Sequence, residues 1–147
     1  MRKERGYTLV ELSVAMAVGA VVMALVVMFC MNINAYVQSK KVLTAVNAET
    51  EIVDKFLSNF VAENACSGVS FVADEDGLSL KVINESGGEI AGKAVRFYDK
   101  ALFIGEEKKW SFECIGNVVF SVYGNLIKCK LIYIDKQECN LIYETKG

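Results

Sequence analysis

The 147-residue chain has no histidine and no proline, and a single tryptophan. Without histidine it lacks the side chain that most often moves protons near neutral pH and the commonest metal ligand. Without proline, no helix in it can kink by that route. Charge is sparse and nearly balanced, with 16 Lys and Arg against 18 Asp and Glu. That balance excludes a protein that grips nucleic acid with a broad basic surface, and a mean hydropathy of +0.31 excludes a disordered polar tail. Neither a Gly-x-Ser-x-Gly nucleophile turn nor a phosphate-cradling Gly-x-x-x-x-Gly-Lys-Ser/Thr loop occurs. The sequence therefore reads as a non-enzyme, with no catalytic residue, no metal ligand set and no cofactor.

What the chain does have is hydrophobic residues, 53% of the total, unevenly spread. Between Glu11 and Lys40 lie 28 residues without a formal charge, and from Leu12 to Met31 only Ser13 and Gly19 fall outside the apolar set. A hydrocarbon core about 30 Å thick needs roughly 20 helical residues, which this block supplies. It exceeds the roughly 7–15 apolar residues of a cleaved secretory signal and has no small-x-small site at its end. Ahead of it stands Met1-Arg2-Lys3-Glu4-Arg5-Gly6, with three basic residues and one acidic. The positive-inside rule then predicts a single-pass protein with a cytoplasmic N-terminus and an exterior C-terminal part. Glu11, at the edge of the block, would cost a few kcal/mol if carried unpaired into hydrocarbon, so either it stays solvated at headgroup level or it has a partner.

The string Gly6-Tyr7-Thr8-Leu9-Val10-Glu11-Leu12, after a short basic leader and before an unbroken apolar helix, closely resembles the prepilin signal of type IV pilins and type II secretion pseudopilins. The resemblance implies a dedicated prepilin peptidase/N-methyltransferase that cuts after Gly6 on the cytoplasmic face and methylates the new amine of Tyr7. It makes Glu11 the acidic fifth residue of the mature chain, placed to pair with the N-terminal amine of a neighbouring subunit during filament assembly. Implied partners are other pilin or pseudopilin subunits meeting through the helix, an inner-membrane assembly platform and the lipid bilayer. The expected function is a structural subunit, a minor pilin or pseudopilin, of a filament that serves adhesion and motility, protein secretion or DNA uptake. A membrane-anchored exterior binding domain that never polymerises is the competing reading. Major pilins usually carry a proline in the apolar segment; here the matching residue is Met28, and Gly19 is the one candidate for local softening. Cys30, inside the segment, reads as a small buried hydrophobe.

Beyond the membrane a helical period continues through Ile33, Val37, Val42, Val46, Val53, Phe56 and Phe60, with Lys40, Lys41, Glu49, Glu51, Asp54 and Lys55 on the opposite surface. No Gly or Pro interrupts Ala20 to Ser67. One helix from about Tyr7 to Glu63, roughly 85 Å long at 1.5 Å per residue, is the simplest reading, with Gly68 as its left-handed terminator. From Val69 the pattern turns to strands: 69–72, 78–83, 94–98, 101–104, then 117–123 and 126–134 around Gly124-Asn125, and 139–143 last. If Tyr123 faces Leu126, then Val118, Phe120 and Val122 share a core face with Ile127, Cys129, Leu131 and Tyr133. The fold class is α+β: a pilin-like lollipop with one long N-terminal helix, transmembrane in its first half, packed on a C-terminal antiparallel β-sheet. The expected divisions are leader 1–6, transmembrane and filament-core helix 7–31, amphipathic extension 32–65 and exterior β-rich domain 66–147.

Cys66, Cys114, Cys129 and Cys139 lie in the exterior part, where a disulfide can persist. There is no Cys-x-x-Cys for zinc. With Cys139 placed opposite Ile134, Cys129 and Cys139 face opposite ways and are the least favoured of the pairings. The family resemblance implies at least one bridge in this region, the alternative being buried free thiols. Asp74-Glu75-Asp76-Gly77 could touch calcium but lacks the rest of an EF-hand and reads better as a solvated turn. Lys108-Lys109-Trp110 could contact DNA in a DNA-uptake filament, against a plainer reading as a strand entry with a half-buried Trp.

Overall fold

The computed structural model describes residues 8–66 and 68–145. One helix, α1 (Leu9–Asn64), is followed by eight strands: β1 (Val69–Ala73), β2 (Ser79–Asn84), β3 (Glu89–Tyr98), β4 (Ala101–Ile104), β5 (Glu107–Ser111), β6 (Ile115–Tyr123), β7 (Leu126–Tyr133) and β8 (Glu138–Glu144). The architecture is α+β and pilin-like, a long N-terminal helix followed by antiparallel sheet. The chain divides into two compact units, Met1–Leu43 and Thr44–Gly147.

In the first unit α1 is exposed throughout its described length and largely apolar as far as Met31, from Leu9 at 84% to Phe29 at 66% exposed. Its best 18-residue window has a mean hydropathy of 2.7 and buries nothing within the chain, so the helix is long and apolar enough to cross a membrane. Ile33, Val37 and Val42, read above as part of a packed stripe, are exposed here as well.

The second unit holds the core. Val53, Leu57, Phe60, Val61 and Asn64 of α1 are buried, a 4–3–1–3 spacing that marks one helix face. Asn64 spends its amide on the Phe60 carbonyl at 2.8 Å. Against this face pack Phe71, Leu80, Val82, Val95, Phe97 and Leu102 from one sheet and Val118, Phe120, Ile127, Cys129 and Leu131 from the other. Leu57, Leu80, Leu102, Phe120 and Leu131 are at most 1% exposed, and each such side chain contributes roughly 1.5–3 kcal/mol of burial.

Where a single sheet is expected, the strands form two: five in the order β1-β2-β3-β4-β5 and three in the order β6-β7-β8, all antiparallel. The β6–β7 hairpin follows the predicted register, with Tyr123 opposite Leu126 and Phe120 opposite Cys129. Gly124 has φ +57°, while Asn125 keeps a negative φ, as a tight hairpin with Gly first requires. The register of β8 corrects the expectation. Cys139 stands opposite Leu131 and not Ile134, because the chain turns through Lys136 at φ +66°, with the Tyr133 N–H donating to the Gln137 carbonyl at 2.9 Å. An odd shift of register exchanges the two faces of a strand.

Two polar residues assigned to the wet side of α1 point into the domain. The Glu49 carboxylate accepts three consecutive backbone N–H groups, from Glu113 at 2.7 Å, Cys114 at 2.9 Å and Ile115 at 3.1 Å, where the chain passes from one sheet to the other. Asp54 accepts the Tyr143 hydroxyl at 2.8 Å. Between them Thr50 donates to the Val46 carbonyl at 2.7 Å, which leaves its oxygen to accept the Tyr133 hydroxyl at 2.6 Å.

Candidate assembly site

Three residues carry the sequence-derived assembly site: Gly6, Tyr7 and Glu11. Gly6 and Tyr7 lie outside the described residues; Glu11 is on the first turn of α1. A helix leaves its first N–H groups without intrahelical partners, and here the side chains fill that need. The Glu11 carboxylate accepts the Thr8 N–H at 2.9 Å and the Thr8 hydroxyl at 3.1 Å, and the Thr8 hydroxyl oxygen accepts the Glu11 N–H at 3.3 Å. This reciprocal pair is a capping box, whose sequence signature Thr-x-x-Glu stands at Thr8-Leu9-Val10-Glu11. Glu11 therefore has a local partner in Thr8. Ser13, the other polar residue nearby, returns its hydroxyl to the Leu9 carbonyl at 2.6 Å and presents little polarity to lipid.

Apart from Thr8 and Ser13, the helix around Glu11 offers apolar surface. Leu9, Val10, Leu12, Val14, Met16 and Val18 are 57–84% exposed. Side chains of this kind are stable in a hydrocarbon layer or against other helices, and their burial there is what an assembly surface supplies.

The remaining predicted sites sort differently. Cys30, Cys66, Cys114, Cys129 and Cys139 are all free thiols. Cys129 and Cys139, placed on opposite faces by the sequence pattern, share the inner face of β7 and β8: Cys129 is opposite Leu141 and Cys139 opposite Leu131. They are diagonal neighbours, and a diagonal of about 7–8 Å exceeds the span of an unstrained disulfide. Burial pushes the Cys129 thiol up to about 12, helped by the adjacent Cys139 and Asp54. Burial, reinforced by Glu49, likewise raises Cys114.

Asp74-Glu75-Asp76-Gly77 forms the β1–β2 turn. Hydrogen bonds from the Ser79 hydroxyl and the Lys81 ammonium hold the Asp74 carboxyl below its ordinary value. Gly77, at φ +68°, offers its carbonyl to the Phe120 N–H at 2.6 Å. This turn is part of the scaffold, and the described residues include no group of three or more acidic or Cys side chains that could hold a metal. Lys108-Lys109-Trp110 is the middle of β5. Lys109 pairs with Glu107 at 2.7 Å, and the Trp110 ring lies 5.0 Å from that of Phe56. Trp110 is thus turned to the core side, as in the plainer of its two readings.

Among curated proteins and solved structures none matches this chain. Residues 1–27 match the family model described as the prokaryotic N-terminal methylation motif. That match takes in the short basic N-terminal stretch, Gly6 and Tyr7, the capping box and the first turns of the apolar helix. It implies processing by a prepilin peptidase and assembly with other pilins. The chain thus carries a prepilin-type methylation motif at the start of a helix long and apolar enough to cross a membrane, ahead of a pilin-like arrangement of antiparallel sheets.

Proposed function

We propose that this protein is a minor pilin or pseudopilin, a structural subunit of a type IV pilus-like filament. The N-terminus stays cytoplasmic, a prepilin peptidase/N-methyltransferase cuts between Gly6 and Tyr7 and methylates the Tyr7 amine, and the domain after the membrane helix lies outside. An inner-membrane platform then extracts the processed subunit into the filament, where its apolar helix exchanges lipid for the helices of its neighbours. The observation that carries this reading is the methylation motif over residues 1–27, placed on a helix whose apolar surface has no partner within the chain.

Glu11 gives the reading a mechanism. A carboxylate in a low-dielectric helix bundle is costly unless a positive charge meets it, and the methylated Tyr7 amine of an adjacent subunit supplies one. Until that amine arrives, Thr8 holds the carboxylate through the capping box. The two roles are separable by chemistry. Gln at the same position keeps a capping box but carries no charge. Glu11→Gln should therefore insert and be processed normally yet fail to enter filaments, as should Glu11→Ala. Incorporation of Glu11→Gln at the wild-type level alongside wild-type partner subunits would show that Glu11 is only a cap.

A further inference from the structure

The two sheets have four edge strands, β1, β5, β6 and β8. Two of these edges are covered. The β1–β2 turn lies on β6, with the Phe120 N–H donating to the Gly77 carbonyl at 2.6 Å, and β1 itself packs against β6. β5 and β8 keep open edges: every residue of β5 is exposed, and β8 alternates between exposed and half-buried. An open edge presents unpaired N–H and C=O groups and pairs with a compatible strand unless something blocks it. β8 has no Lys or Pro to block it, and its Ile142 is 64% exposed. Beside β8 runs a groove of about 410 Å³, walled by Ser58, Val61 and Ala62 of α1, by Ala65 just past its end, and by Ile142 to Glu144. The short side chains on the α1 wall leave room for another backbone at the usual strand spacing of about 4.8 Å.

Charge selects the strand that fits. β8 carries Glu138 and Glu144 and no basic residue. Two copies of β8 paired antiparallel about Leu141 would set Glu138 of each opposite Glu144 of the other, and like charges directly opposite destabilise a sheet. β5 has the complementary sign. Its Glu107 is engaged by Lys109 at 2.7 Å, which leaves Lys108 without an ion pair among the described residues. On β8, Glu138 is engaged by Lys130 at 2.8 Å, and Glu144 is the acid left without one. We propose that β8 of one subunit pairs with β5 of the next, with Glu144 meeting Lys108 across the junction. The contact uses two different surfaces, so each subunit can pass it on to the next, as a filament requires. It rests on the filament reading and adds to it a second, exterior interface.

The register shift between Leu102 and Phe103 makes Lys109 an extra, bulged residue on β5, so only a short stretch of that edge can pair. A junction of a few residues is too weak to join dilute subunits. It forms once the helices have gathered copies at the millimolar effective concentrations typical of tethered partners.

The test uses the full-length chain, co-expressed with a prepilin peptidase and the assembly proteins, with a photo-crosslinking amino acid at Ile142 or, separately, at Met23 on the apolar helix. Expected are covalent dimers from both probes, with the Ile142 adduct mapping to Glu107–Ser111 of the second copy. Lys108→Glu or Glu144→Lys alone should lower the Ile142 dimer about fivefold, and the two together in one chain should restore it, while the Met23 dimer stays constant. Met23 dimers without Ile142 dimers, or Ile142 adducts on another strand, overturn the edge pairing and leave the filament reading intact. Ile142 dimers on β5 without Met23 dimers uphold the edge pairing but overturn both assembly through the helix and the junction's dependence on it. Dimers from neither probe overturn both.

Discussion

Glu49 and Glu51 sit two residues apart on α1 and should behave in opposite ways. Glu49 clasps the N–H groups of Glu113, Cys114 and Ile115. Ile115 is fully buried and Cys114 is half-buried, whereas Glu113 is exposed. On truncation to Ala, water can replace the carboxylate at Glu113 but not at the other two. Leaving a buried donor unpaired costs about 1–3 kcal/mol, so Glu49→Ala should lose about 2–4 kcal/mol, a fall in Tm on the order of 10–20 °C for a unit of this size. Glu49→Gln keeps one acceptor and turns an NH2 toward the N–H row, for about half that loss. Glu51 instead pairs with Lys55 at 2.6 Å on a surface where the two side chains are 64% and 72% exposed. Glu51→Ala should stay within about 0.5 kcal/mol of wild type. The assay is urea unfolding of the full chain in mild detergent, followed by the fluorescence of Trp110, the sole tryptophan, on its Phe56 contact. If Glu49→Ala unfolds at the same midpoint as Glu51→Ala, the clasp holds nothing and the reasoning fails.

Other outcomes follow from the same structure. Gly77→Ala, at φ +68° with its new Cβ 2.8 Å from a Val119 methyl, should cost more than about 2 kcal/mol, whereas Gly87→Ala, at φ +78° in open space, should cost only about 1 kcal/mol; equal denaturation midpoints would contradict the packing of that turn on β6. Asp99 and Lys100 both hold positive φ, 48° and 55°, in the β3–β4 turn, so Lys100→Gly should stabilise by about 1 kcal/mol, read as a rise in urea midpoint. Cys129, raised from 9.0 to about 12, keeps its proton when folded, as does Tyr143, raised by burial and by Asp54. Their contribution is full below about 9 and is lost as pH climbs toward 12; a midpoint that does not fall over that range would refute it. Alkylation of unreduced protein should label exposed Cys66 quickly and Cys129 only on unfolding, with five adducts in all once denatured; a missing pair of adducts would reveal a disulfide.

The sequence pattern carried the helix, the β6–β7 register and the core face because each depends on local rules: an unbroken apolar period, and a two-residue turn that fixes which side chains share a face. It failed where a longer turn sets the register. Five residues separate Tyr133 from Cys139, and nothing in Ile134-Asp135-Lys136-Gln137-Glu138 announces that Lys136 takes positive φ. Lys108-Lys109-Trp110 reads as a strand entry, but the extent of β5 is not legible because Glu-Lys-Lys-Trp-Ser has no alternation of apolar residues; it pairs with β4 at an edge and buries little. Glu49 could not be read from α1 alone, since its partners lie 64–66 residues away. The capping box is legible as Thr8-x-x-Glu11, and the same Glu11 is the acidic residue that the prepilin resemblance pairs with a neighbouring subunit.

On the proposed function, residues 1–6 are a leader removed during filament biogenesis. Intact-mass spectrometry of the full chain, co-expressed with a prepilin peptidase and extracted from membranes, tests it directly. A chain that begins at Tyr7 and carries one added methyl on its terminal amine is the predicted result. A chain that still begins at Met1 or Arg2, beside a control pilin that the same enzyme has processed, would contradict it.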